Sequence, residues 1–142
     1  MIINKQTEKQ IKNAFRNYEK LKKEAAEYLA NLATSGITTN WEHIGHGRGG
    51  YYNPTEKKVL KACENEKLKW CYVVEKTLRH YQEQGQDGRR KAELIRQLFF
   101  EKQSPFSIMI NLHIQERTYY YWLDEIITYA AFQAVQEGLI TV

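Results

Sequence analysis

Two cysteines are all the thiol chemistry this chain of 142 residues holds. Cys63 and Cys71 cannot build a disulfide framework, and so sparse a set fits a reducing compartment. Long apolar runs are missing too. The longest stretch without a charge, Tyr28 to Trp41, contains Asn, Thr and Ser, whereas a membrane helix needs about twenty mostly apolar residues. No membrane partner is expected. The start, MIINKQTEKQ, leads into charged residues and has no apolar signal-peptide core, so a cytoplasmic location is expected. Nor does one charge dominate. The net charge of +4 allows an anionic partner without requiring one. Strand-like alternation, low-complexity tracts and internal repeats are absent as well.

What is there suits one domain, or a small domain with a helical arm. Hydrophobic residues make up 42% and charged residues 27%, as in an ordinary globular chain, so a core is possible. The expected fold class is all-α. Two long N-terminal helices (residues 1–88, a helical arm or oligomerisation region) precede a three-helix module (residues 89–142).

The first helix is expected from about Thr7 to Ala33, with Thr7 and Gln10 as a capping box. Ile11, Ala14, Tyr18, Leu21, Ala25, Tyr28 and Leu32 recur at three- and four-residue steps and form one stripe. Lysines crowd the outer face, and Gly36 is a plausible stop. The glycine-rich segment 36–53 reads as a connector. Asn53-Pro54-Thr55-Glu56 opens a second helix with the stripe Leu60, Cys63, Lys67, Trp70, Val74, Leu78 and Tyr81, ended by Gln84-Gly85-Gln86-Asp87-Gly88. Two long helices of seven-residue periodicity are natural partners for each other or for a second copy, so a homo-oligomer is expected.

Arg89 to Phe100 makes a short helix with Leu94, Ile95, Leu98 and Phe99 on its apolar side. Ser104-Pro105 restarts a helix that ends near Leu112. Ile114 plugs a turn, and a last helix runs from about Gln115 to Glu137 and stops at Gly138. On it, Tyr119, Trp122, Leu123 and Ile126 share a face within about 60°. The opposite face presents Arg117, Tyr121, Asp124 and Thr128, flanked by Thr118 and Tyr120. Such a face can enter a major groove, N-terminal residues foremost.

The pattern Leu112-x-Ile114-x-x-x-Thr118-Tyr119-x-x-x-Leu123 resembles the helix-turn-helix of sigma-factor region four. More specifically, the chain resembles phage late-transcription activators of the RinA/ArpU type. The likeness spans most of its length, through to Val135-Gln136-Glu137-Gly138-Leu139. Two positions depart from such motifs: Gln115 stands where a Ser cap is usual, and Met109 where a small residue is usual. The resemblance implies a transcription regulator of a phage or prophage in a bacterial host cell. It would activate late genes by binding double-stranded promoter DNA and contacting host RNA polymerase. The residues expected to meet DNA are Ser104, Ser107, Gln115, Glu116, Arg117, Thr118, Tyr120 and Tyr121, with Arg89, Arg90, Lys91 and Lys102 as a basic edge.

Residues 89–142 carry six basic and six acidic side chains, so the module is neutral. Phosphate contacts supply much of DNA affinity, so dimerisation or polymerase must add the rest. The other motifs have plainer readings. Gly45-His46-Gly47-Arg48-Gly49-Gly50 lacks the ending of a phosphate-binding loop and follows no strand. His43 and His46 with Cys63 and Cys71 lack zinc-finger spacing. No catalytic set surrounds His80 or His113, so neither an enzyme nor a cofactor or metal is expected. Two other roles stay open, a phage structural or packaging protein and a sigma-like polymerase-binding protein.

Overall fold

The fold is that of a computed structural model, which describes residues 3–37 and 65–141. Among them every regular element is helical: α1 (Lys5–Arg16), α2 (Tyr18–Ile37), α3 (Glu66–Gln82), α4 (Gly85–Ile95) continued by one π-helical turn (Arg96–Phe100), α5 (Pro105–Leu112) and α6 (Glu116–Gln136). No helix of the described residues is long and apolar enough to cross a membrane.

The N-terminal cap lies three residues before the expected one. Asn4 is extended (φ −72°, ψ 160°), and its side-chain oxygen accepts from the Thr7 amide at 2.7 Å. Thr7 is therefore inside the first turn and buried. The single long helix expected over Thr7–Ala33 is interrupted at Asn17, whose backbone (φ −100°, ψ 14°) leaves the helical region. Asn tolerates such a break, because its short polar side chain lowers its preference for a helix interior. Gly36 does not stop α2, which runs on to Ile37. The glycine-rich connector, the Asn53-Pro54 start, Leu60 and Cys63 lie outside the described residues. Asn65 is extended (ψ 120°) and caps α3, accepting from Lys67 and Leu68 amides at 2.9 and 3.2 Å. The helix expected to run unbroken from Pro54 is therefore not continuous through Asn65, and α3 starts at Glu66.

The described apolar positions of the two stripes pack mainly inside the chain. α2 packs on α3, and α1 packs on α3 and α6. Ile11, Phe15, Val74, Tyr81, Leu94, Ile95, Ile108 and Ile126 are buried in one cluster. The Tyr18 hydroxyl donates to Glu75 at 2.6 Å, and Lys67 pairs with Glu24 at 2.9 Å, fixing the register of α2 against α3. Along α6, Ala130, Ala131 and Ala134 are fully buried, and such small side chains let neighbouring helices approach closely.

The expected break over Gln84–Gly88 shrinks to Glu83 and Gln84. Gly85 takes φ +81° and α4 starts there, so the boundary foreseen after Gly88 falls within a helix. Gly88 is buried, and a Cβ on it would sit 2.2 Å from the Tyr81 carbonyl oxygen. Only glycine lets the start of α4 cross the end of α3 this closely. In the π turn the Glu101 amide reaches back five residues to Arg96 at 2.9 Å. The extra residue brings Phe99 to 5.2 Å from Phe15 and Phe100 to 5.4 Å from Tyr18, ring centre to ring centre. Buried Gln97 is satisfied on both sides, donating to Glu93 at 2.9 Å and accepting from Asn111 at 3.2 Å.

Candidate nucleic-acid interface

The expected short helix, turn and long helix are present where the sequence puts them. Ser104 is extended (φ −69°, ψ 152°), its hydroxyl oxygen accepts from the Ser107 amide at 3.2 Å, and Pro105 follows in the first position. α5 buries Ile108 and Leu112 and turns Phe106 (72% exposed) and Ile110 (55%) outward. His113 then adopts the left-handed conformation (φ 54°, ψ 47°). Its amide reaches the Ile110 carbonyl at 3.3 Å, and the Ile114 amide reaches that of Met109 at 3.0 Å. These two bonds close the helix end as a glycine normally would. Ile114 packs against the core but is only half-buried. Gln115 is extended (ψ 160°) and leads into α6, with no side-chain bond to the helix start.

α6 sorts its side chains as its spacing requires. Tyr119, Leu123 and Ile126 are buried and Trp122 half-buried. Gln115, Glu116, Arg117, Tyr120 and Tyr121 are exposed, Tyr121 by 73%, and Thr118 is half-buried. These residues share the first two turns. Farther along the same face the chemistry changes. Tyr121, Asp124 and Thr128 join His80 and Phe132 around an open groove of about 490 Å³ between α6 and α3. Asp124 and Glu125 would repel phosphates there, so the stretch suited to a nucleic acid ends near Tyr121.

The basic edge divides. Arg89 is exposed. Arg90 is not free: its guanidinium donates to the Leu112 carbonyl at the end of α5 and lies 5.3 Å over the Trp122 ring. The Lys91 ammonium pairs with Glu125 at 2.7 Å and sits 5.7 Å from the same ring. The two cations flank Trp122 and tie α4 to α5 and α6. They brace the turn, with part of their donor capacity already taken. Lys102 is exposed, with φ 55°, and lines a different cleft together with Arg16 of α1. The sequence alone does not separate these roles, because each depends on contacts across helices. Arg16 was hidden among the lysines of the first block.

Among the described residues no three His, Cys, Asp or Glu side chains gather as a metal site. His43, His46 and Cys63 lie outside them, and Cys71 is buried, which pushes its thiol pKa up. His80 stacks on Tyr129 at 4.0 Å. Compared with protein-family models, curated proteins and solved structures, the chain matches none.

Proposed function

We propose that the chain is a sequence-specific DNA-binding regulator. α5 lies across the duplex backbone, and the first two turns of α6 enter the major groove. The observation that carries this reading is the run of exposed polar and aromatic side chains, Gln115, Glu116, Arg117, Tyr120 and Tyr121, on a helix start that follows the turn at His113. A major groove admits one helix, and the amides at the helix start favour phosphate oxygens. Arg117 is the base reader, since guanidinium matches the paired acceptors of guanine. Ser104, Ser107, Thr118 and Arg89 contact the backbone and fix the register. No catalytic step or cofactor enters the role.

The wider biology rests on the sequence resemblance. As in phage late-transcription activators of the RinA/ArpU type, the target is promoter DNA and the second partner host RNA polymerase. A neutral reading module favours two copies on adjacent half-sites, which sedimentation with and without duplex would reveal. One observation favours the sigma-like variant: Phe106 and Ile110, one turn apart on α5, offer an exposed apolar spot for a protein. The test is selection from randomised duplexes with the whole chain. Enrichment of a short shared motif supports the reading. Recovery of unrelated sequences, alongside capture of polymerase core in the absence of DNA, would favour the sigma-like role instead.

A further inference from the structure

A second feature of the surface lies where α1 ends against the π turn. The Phe15 ring packs tilted against Phe99 and the Tyr18 ring stacks on Phe100, which pins the end of α1 to the segment leading into α5. Between them opens a cleft of about 470 Å³ lined by Asn13, Arg16, Asn17, Leu98, Lys102 and Gln103. Both charged side chains in this lining are cations, and neither Arg16 nor Lys102 has an ion-pair partner among the described residues. The neighbouring carboxylate, Glu101, is taken: it pairs with Arg96 and accepts from Gln103 at 2.8 Å. Gln103 is further fixed by accepting from Asn111 at 2.9 Å.

Two cations facing one cleft repel each other, and an anion between them would turn that repulsion into attraction. The local backbone carries two departures from the ordinary. One is the π turn, an irregularity common at functional sites, and the other is left-handed φ at Lys102, which is not glycine. Arg16 does complement the dipole at the end of α1. That role needs no second cation, and it does not explain the placing of Lys102. We propose that this cleft binds a phosphate group. The Arg16 guanidinium supplies a planar pair of donors, the Lys102 ammonium a point charge, and the amides of Asn13 and Asn17 further N–H donors. The same chemistry serves a phosphodiester of the DNA backbone or a free phosphorylated compound. The DNA source rests on the regulator reading above, and the free source does not.

The experiment compares the parent with the double variant Arg16→Gln, Lys102→Gln. At this exposed site the relief of repulsion opposes the loss of the Arg16 dipole contact, so its melting should stay close to the parent's without phosphate. In one arm, inorganic phosphate is titrated against chloride of equal ionic strength while the Asn13 and Asn17 side-chain amide resonances are followed. In the other, affinity for a short duplex is measured across salt concentrations. The parent's amides should shift saturably and the variant's should not. A salt slope shallower by about 1 in the variant assigns the DNA backbone as source. An unchanged slope with the phosphate response intact assigns a free compound. If the parent's amides ignore phosphate and the slope does not change, the clamp is wrong. If the parent binds no duplex at all, the regulator reading fails and the phosphate arm alone decides the clamp.

Discussion

At the scale of single residues, the turn between α5 and α6 rests on His113 and Ile114. His113 holds a left-handed backbone that most side chains resist by about 1–2 kcal/mol and glycine does not. His113→Gly should therefore raise stability by about 1 kcal/mol, read as a higher melting temperature. A lower one would mean the imidazole makes a contact worth more than the strain. Ile114 belongs to the core's edge, so Ile114→Asp should cost about 2 kcal/mol, less than for an enclosed side chain because the carboxylate can turn to water. Melting like the parent's would show that the turn does not pack as described. The sequence made Ile114 legible through its place between two periodic runs. The Arg90 and Lys91 braces on Trp122 were not legible, because no spacing along the chain tells a free cation from one bonded to a helix twenty residues away.

At the scale of elements, apolar period and capping chemistry predicted α5 and α6 almost to the residue. Ser104-Pro105 and Gly138 are unambiguous punctuation. They failed where tertiary packing overruled local signs. Thr7 and Gln10 satisfy a capping pattern, yet Asn4 takes the cap and Thr7 goes inside. The first stripe runs across Asn17 without a gap, so periodicity could not show the break. Phe15 lies off the counted stripe but is fully buried, because the π turn brings Phe99 to meet it. Gly88 looked like part of a loop and is a packing glycine. Gly88→Ala should destabilise by about 3 kcal/mol, the upper end for overpacking, since the obstacle is backbone that cannot swing aside. A thermal melt decides this, and a parent-like value would mean that α4 does not cross α3 there.

At the scale of the whole molecule, one cluster links the lysine-rich first helix to α6, so loss of any buried group is felt throughout. Burial raises the hydroxyl pKa values of Tyr18, Tyr81 and Tyr119 above the ordinary 10.0, and at Tyr18 the Glu75 hydrogen bond adds to it. A raised folded pKa gives stability that is present in full below the unfolded value and lost as pH climbs through and above it. From about pH 10 upward the fold should therefore weaken. In an alkaline titration, these three should ionise only as helicity is lost. Ionisation of these three with helicity intact would count against their burial. The central claim is that the start of α6 reads base pairs. Its most direct test is a titration of parent and Arg117→Ala against the duplex emerging from selection and against duplexes altered one base pair at a time. Arg117 is exposed, so the variant should melt like the parent. It should bind more weakly by about 1–3 kcal/mol and lose discrimination at a single base pair, keeping it elsewhere. Equal affinity and equal discrimination in the two proteins would contradict the account.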